Sequence, residues 1–356
     1  MDYPTAEKML AKKVVDSDKI WATLITNTAY LPGLLTLSFS LRRVSSRYPL
    51  VALHTGTLPP SALAALSSRG IPTQQVPVLH PGPSPFSDDE NDPSKGWYAD
   101  DPRFRASFTK LVVFGLTGYE RVCLLDADMV VVRNMDELFG VELDREGRLL
   151  AATHACVCNP RGFGHYPRDW KPAECDVDGD SSSGRGNTNG AIGTTTTYHG
   201  HSLGQLNGGL LLLRPSPPLL HSITTFLASP TLSPATLPFA DQSLLSTLFH
   251  NRWTPLPYIY NALKPMREAG VHGGEMEGGI WRDGGVKCVH YILTPKPWEL
   301  KGRSEGGVLE GWWWEVEGER RRWEDEMGIG ADGEKGGSCS RQMGELVGEG
   351  RWSVVG

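Results

Sequence analysis

Apolar and polar positions change rhythm repeatedly over the first eighty residues, and each change predicts an element. Ala22-Thr23-Leu24-Ile25-Thr26 is a short β-prone run. From Leu31 to Val44, Leu34, Leu35, Leu37, Phe39 and Leu41 recur as they do on a mostly buried helix. Leu50-Val51-Ala52-Leu53-His54 predicts a second strand, and Ser61 to Ser68 a helix with Ser61 as N-cap and Gly70 as its stop. Gln75-Val76-Pro77-Val78-Leu79 predicts a third strand, which Pro77 places near an edge because proline lacks the N–H that a central strand donates.

Strand–helix–strand–helix–strand at this spacing predicts a parallel sheet of nucleotide-binding type. In such sheets ligands sit beyond the carboxyl ends of the strands, which brings Thr26, Asn27 and Tyr30 towards a nucleotide pocket. Residues 81–101, rich in Pro, Ser, Asp and Gly, read as a loop, and a helical segment is expected from Arg103 to Leu116. The strongest strand signal runs from Arg121 to Val132 and contains Asp126-Ala127-Asp128. Residues 159–205 read as loop again, with Ser181-Ser182-Ser183-Gly184 and Thr194-Thr195-Thr196-Thr197 as low-complexity islands. Leu210 to Leu213 predicts a strand and Asp241 to His250 a helix. After residue 302 no period is evident; the tail is expected to be partly disordered, with Trp312-Trp313-Trp314 suggesting some docking.

Composition narrows the partners. The 356-residue chain is 39% hydrophobic and 21% charged, as soluble globular proteins are, and long enough for one large α/β domain with appendages. A net charge of -6 argues against nucleic acid or an anionic membrane as the main partner. Met1 to Lys8 holds no signal-like apolar run, no stretch has the length of a membrane span, and no Asn-x-Ser/Thr acceptor occurs. A cytoplasmic location is the expectation. Of the 6 cysteines, Cys123 and Cys288 fall in apolar runs and read as core residues. Cys156-Val157-Cys158, with Cys175 further on, is the one cluster, but its spacing is not a standard zinc pattern.

Asp126 and Asp128, two apart on a strand, would present both carboxylates to one side. Two like charges beside a buried run are costly without a compensating cation, and oxygen ligands favour magnesium or manganese. The bland alternative is a pair that merely ends a strand in solvent. Asn207-Gly208-Gly209 offers a close backbone approach for a ligand. Asp241 and Gln242 open a helix, where capping is their ordinary role. His290 ends a strand and could be structural or a third metal ligand, and Lys296 could face phosphate or be an ordinary surface lysine.

These elements, in this order, resemble the family 8 glycosyltransferases. The matching stretches are Thr23 to Asn27 with Tyr30; Phe108-Thr109-Lys110-Leu111; Leu124 to Asp128 followed by Asn134 to Phe139; Leu206 to Gly209; Ala240 to Leu245; Tyr258-Ile259-Tyr260-Asn261; and His290 with Lys296-Pro297-Trp298. The resemblance covers roughly residues 22–299. It implies a GT-A fold, an α/β Rossmann-like nucleotide-binding domain with a mixed, mainly parallel central sheet, over 21–301 between an extension at 1–20 and the tail at 302–356. It further implies a uridine-diphosphate (UDP) sugar donor, Mn2+ (or Mg2+), and retention of anomeric configuration.

Carried over residue by residue, Thr26, Asn27 and Tyr30 would contact the uracil end, and Asp126, Asp128 and His290 would ligate the metal. Lys296 would hold the diphosphate, and Lys110, Asn207, Gly208, Asp241 and Gln242 would surround the donor sugar, with Lys110, Asp241 and Gln242 nearest the chemistry. The family often has a glycine between the histidine and Lys-Pro-Trp, where this chain has Ile292-Leu293-Thr294-Pro295. Asn261 is followed by no tyrosine before Tyr291, so a self-glycosylating primer is not expected. The 159–205 insertion resembles the galactinol synthase side of the family and falls where acceptors bind. The acceptor would carry a hydroxyl (polyol, oligosaccharide or protein), and a homodimer would be ordinary. Two other readings stay open: a haloacid dehalogenase-type phosphatase with Asp126 as nucleophile and Asp128 as acid/base, and a sugar-nucleotide-binding protein without turnover.

Overall fold

The computed structural model describes residues 2–86, 104, 106–143, 147–164, 166–175, 204–268, 271–272, 280–302 and 305–329. The two low-complexity islands and most of the 81–101 loop lie outside them. Among the described residues, seven strands form the main sheet: β1 (Lys19–Ile25), β2 (Leu50–His54), β3 (Thr73–Gln75), β4 (Arg121–Leu125), β6 (Leu150–His154), β7 (Leu206–Leu213) and β8 (Trp253–Leu256). Their order is β3-β2-β1-β4-β7-β6-β8. The β1–β2, β1–β4, β2–β3 and β6–β8 pairings are parallel, while β7 runs antiparallel to both neighbours. A smaller sheet joins β5 (Met129–Val131), β9 (Ala262–Leu263) and β10 (Cys288–His290) in the order β5-β10-β9.

This topology creates the site. β1 pairs with β2 on one side and β4 on the other, so the chain winds away in both directions and leaves a crevice beyond their carboxyl ends. Thr26 follows β1 there, and Asp126 follows β4. Because β7 is antiparallel to β4, with Leu125 opposite Leu210, its amino end opens onto the same crevice and brings Asn207 and Gly208 into it.

Several elements differ from the sequence reading for identifiable reasons. β3 stops at Gln75, before Pro77, whose missing N–H cannot extend the ladder. β7 begins at Leu206 rather than Leu210: Leu206 pairs with His154, and Asn207, Gly208 and Gly209 are all buried across the irregularity that follows. The predicted 103–116 helix is a 3-10 segment over Ser107–Gly115. Asp126 to Asp128 is a turn between two sheets, not the middle of one long strand. α3 (Pro60–Ser67) begins on proline with no side-chain cap, so Ser61 lies inside it; α2 (Leu31–Arg43) and α5 (Ala240–Leu248) fall close to their predicted spans.

The two ends contribute more than their composition suggests. α1 (Tyr3–Leu10) is capped by the Asp2 side chain and buries Ala6 and Leu10. A Cβ on Gly115 would stand 2.7 Å from both Leu10 and Leu220, so α1 and α4 (Pro217–Leu227) close directly over that glycine. α6 (Val308–Glu326) packs on α2, where Phe39 meets Trp323, and buries Leu309, Trp313 and Val316 in the cluster around β9 and β10. Its buried stripe continues with Glu317, Arg320 and Glu324, which pair with one another, with Thr36 and with Arg69. A buried face made half of ions has no hydropathy period, which hides the helix from pattern reading. Among the described residues no helix is long and apolar enough to cross a membrane.

Candidate active site

Asp126, Asp128 and His290 meet at the crevice. Asp126 is held by its backbone, whose N–H donates to the Gly209 carbonyl at 2.9 Å. Asp128 is tied to β10 by the Tyr291 N–H, which donates to its carbonyl at 2.9 Å. The turn packs so tightly on α2 that a Cβ on Gly33 would lie 2.4 Å from the Ala127 carbonyl oxygen.

Each carboxylate divides its oxygens in the same way. Asp126 gives Oδ1 to Lys110 Nζ at 2.8 Å and turns Oδ2 towards His290 Nε2, 3.7 Å away. Asp128 gives Oδ2 to Lys296 Nζ and places Oδ1 3.2 Å from the same His290 nitrogen. All three facing atoms lie within 4.8 Å of one another.

The hydrogen-bond network assigns the imidazole tautomer. Asn207 Oδ1 accepts the backbone N–H of Gly209 at 2.9 Å, which makes it the acceptor towards Asn261 Nδ2 at 2.8 Å. Asn261 also donates to Thr153 Oγ1 at 2.9 Å. Its remaining Oδ1 must therefore accept from His290 Nδ1, 2.9 Å away. With the proton on Nδ1, the neutral form of His290 would aim its Nε2 lone pair at two carboxylate oxygens. The two carboxylate oxygens and the imidazole nitrogen form a set that can hold a cation between them. Neighbouring oxygens and nitrogens around magnesium stand about 3 Å apart, so two carboxylates and one imidazole suit a hard or borderline divalent ion.

The lysines complete the charge balance. Lys296 is buried, donates also to the Tyr291 carbonyl at 2.7 Å, and is no surface lysine. Burial would raise the Asp128 carboxyl, but the charge and hydrogen bond of Lys296 pull it down and hold it below the usual range. Lys110 sits between Asp126 and Asp241, whose Oδ2 is 3.2 Å away, and is held above its ordinary range because those two charges overcome its burial. Asp241 itself is pushed up by burial and by Asp126, against the pull of Lys110. It is not a helix cap: Phe239 occupies that position in α5, and Ala240 adopts a left-handed φ of 46° to turn Asp241 inward.

Close glycine contacts hold these groups in place. A Cβ on Gly208 would lie 2.7 Å from Asp241 Oδ2, and one on Gly209 only 2.3 Å from His290 Cε1. The Gly208 N–H donates to Gln242 Oε1 at 3.4 Å. At the far end, Asn27 Oδ1 accepts from the Ala29 N–H to cap the turn carrying Tyr30. The Tyr30 ring meets Trp298 edge-on, with centroids 5.8 Å apart. Thr26, Asn27, Tyr30, Lys110, Asp126, Asp128, Asn207, Gly208, Asp241, Gln242, His290 and Lys296 all line one open cleft of about 550 Å³. Leu293 lines it too, and holds a left-handed φ of 68°, the conformation that glycine adopts without strain.

Sequence reasoning missed part of this cleft. Asn261 appeared in a motif without a role, although a lone amide between Tyr260 and Ala262-Leu263 marks a polar group that burial would have to satisfy. It also missed an aromatic wall: Trp170 stacks on Phe239 at 4.5 Å, and Tyr166 meets both edge-on. These lie in irregular segments with no period to reveal them.

A family model described as glycosyl transferase family 8 matches residues 22–302. This chain belongs to family 8 of the glycosyltransferases. Among its curated relatives, galactinol synthase 1 of Arabidopsis thaliana is 25% identical over 330 residues, covering 89% of this chain and 83% of the relative. Galactinol synthase 2 of Ajuga reptans is 24% identical over 270 residues, 76% and 80% of the two chains. Two solved structures share the fold. The glycosyltransferase GlyE of Streptococcus pneumoniae superposes with a TM-score of 0.52 at 16% identity, over 86% of this chain and 64% of its own. The galactosyltransferase LgtC, solved with donor and acceptor sugar analogues, gives 0.50 at 16% identity, over 84% and 96%. The family-8 chain is thus a glycosyltransferase with a GT-A fold, and the phosphatase reading of Asp126 has no support.

Proposed function

We propose that this family-8 enzyme transfers a hexosyl group from a UDP-sugar to a hydroxyl acceptor, with retention of anomeric configuration, at a divalent metal centre of Asp126, Asp128 and His290. The observation that carries the reading is the arrangement of two carboxylates, each with one oxygen neutralised by a lysine and the other facing the Nε2 lone pair of His290. Hard oxygen donors with one imidazole favour manganese or magnesium. A cation bound there supplies positive charge against the diphosphate as it leaves.

The surrounding residues then have definite tasks. Lys296, next to Asp128 and 5.8 Å from the Tyr30 ring, stands where it can share its charge with the diphosphate, between the metal centre and the uracil end at Thr26, Asn27 and Tyr30. Asn207, Gly208, Lys110, Asp241 and Gln242 form the floor for the donor hexose. Asp241 is engaged by Lys110 behind Gly208, which makes it a poor nucleophile and favours attack by the acceptor on the face that the diphosphate leaves. The aromatic wall of Phe163, Tyr166, Trp170 and Phe239 suits the C–H face of a small sugar or cyclic polyol. Together with the plant relatives, this puts a galactinol synthase-like acceptor first.

A panel of UDP-glucose, UDP-galactose and UDP-N-acetylglucosamine, each incubated with and without manganese, tests the proposal without needing the acceptor. Manganese-dependent release of UDP from at least one donor is expected. Donor binding by calorimetry, with no UDP released from any donor against polyol and sugar acceptors, would favour the binding protein without turnover.

A further inference from the structure

We propose that Cys156, Cys158, Cys175 and His272 hold one structural zinc ion, separate from the carboxylate centre. The Sγ atoms of Cys156, Cys158 and Cys175 lie 3.5, 3.2 and 3.4 Å from His272 Nε2. All four donor atoms fall within 4.8 Å of one another. In a tetrahedral zinc site, with Zn–S of about 2.3 Å and Zn–N of about 2.0–2.1 Å, sulfur and nitrogen stand about 3.6 Å apart. The side chains therefore already have nearly the spacing that a zinc ion imposes.

Hydrogen bonding to the imidazole does not account for this cluster, and neither does a disulfide. Neutral imidazole offers one lone pair at Nε2, enough for one thiol donor rather than three. A disulfide would join two sulfurs at about 2.05 Å and leave the third without a partner in the cluster. All four residues, three cysteines and one histidine, come from loops, and Cys158 and His272 are buried. Three thiolates and one imidazole select zinc over manganese or magnesium, the reverse of the preference at Asp126, Asp128 and His290. Four protein ligands leave no open position, so the ion is structural.

The ligands also explain what the ion would hold. Cys156 and Cys158 follow β6, Cys175 ends the 3-10 turn Pro172–Glu174, and His272 lies in the loop beyond Lys264–Arg267. His272 is anchored in turn, its carbonyl accepting the N–H of buried Trp281 at 2.9 Å. Between Cys158 and Cys175 run Arg161, Phe163, Tyr166 and Trp170, which wall the cleft. The zinc would staple that irregular wall to the body of the enzyme, and with it the shape of the acceptor side.

Metal analysis of the full chain, purified without chelator or metal-affinity resin, tests the inference. One zinc per chain is expected in the wild type and in Asp128→Ala, and none in Cys158→Ser. Should Cys158→Ser fail to fold, zinc-edge X-ray absorption of the wild type decides, with three sulfurs and one nitrogen as the expected shell. Removing zinc with a mercurial should speed proteolytic cleavage between residues 159 and 175 while leaving manganese affinity unchanged. A reduced wild-type chain that neither carries zinc nor takes up added zinc would overturn the site, as would a shell of oxygen and nitrogen alone. Both outcomes stand apart from UDP release, so failure here would leave the donor chemistry intact.

Discussion

Asn261→Leu separates a metal-binding His290 from a merely buried one. Leucine keeps the branched outline of asparagine, though it is bulkier, and ends the three hydrogen bonds that Asn261 makes to His290, Asn207 and Thr153. Each is worth about 1 kcal/mol net, and the buried Thr153 hydroxyl loses a partner, so a stability loss of at least about 3 kcal/mol is expected in urea titration. The more specific consequence falls on the imidazole. Without the Asn261 acceptor, nothing holds the proton on Nδ1, and the Asp126 and Asp128 oxygens at 3.7 and 3.2 Å draw it to Nε2. The lone pair aimed at the metal is then lost. Removing such an outer partner of a ligating histidine typically weakens metal binding 10–100-fold, about 1.4–2.7 kcal/mol. Manganese titration followed by electron paramagnetic resonance should show that loss, and UDP release should recover substantially at saturating manganese. A folded Asn261→Leu chain with wild-type manganese affinity would refute the assignment of His290 as a ligand.

Other perturbations have equally definite outcomes. Gly209→Ala places a Cβ 2.3 Å from His290 Cε1, so the ring must move; manganese affinity should fall at least tenfold, on the order of 1.4 kcal/mol, in the same titration. At Leu293, with φ of 68°, glycine relieves about 1 kcal/mol of left-handed strain while giving up a similar backbone entropy. Leu293→Gly should therefore change stability by less than about 1 kcal/mol in thermal denaturation, whereas β-branched Leu293→Val should cost more. Burial would raise the Glu317 carboxyl, but Arg320, Arg321 and Thr36 hold it below its ordinary 4.5. Its folded-state value is the lower one, so its contribution to stability is present above pH 4.5 and is lost as pH falls through the folded value. Glu317→Gln should lower stability at pH 7 and lessen that acid dependence, measured as the melting temperature between pH 7 and 3.

What could be read from the sequence follows the physics of each element. β2 was legible to the residue because Leu50 to Leu53 is an apolar run closed by His54 and bounded by turns, and the first five predicted elements gave the parallel half of the sheet, to which β4 adds the switch point that locates the cleft. Asp126, Asp128, His290 and Lys296 could be nominated from residue type and order, but not their shared geometry. That geometry depends on a turn between two sheets and on an antiparallel β7 that no local pattern announces. α6 was hidden because Glu317, Arg320 and Glu324 occupy core positions. The Cys-x-Cys pair looked incomplete because its histidine lies in a separate loop, at residue 272. Clusters assembled by tertiary contact leave no spacing to recognise.

Release of UDP by wild type and Asp128→Ala, measured side by side across a manganese titration, tests the central claim most directly. Asp128 is buried, faces His290 and is paired with Lys296, so its removal takes away one ligand oxygen and the partner that orders Lys296. Manganese-dependent release should be present in the wild type and absent in a folded Asp128→Ala chain at every manganese concentration. Equal manganese-dependent release by the two proteins would contradict a donor site built on this carboxylate.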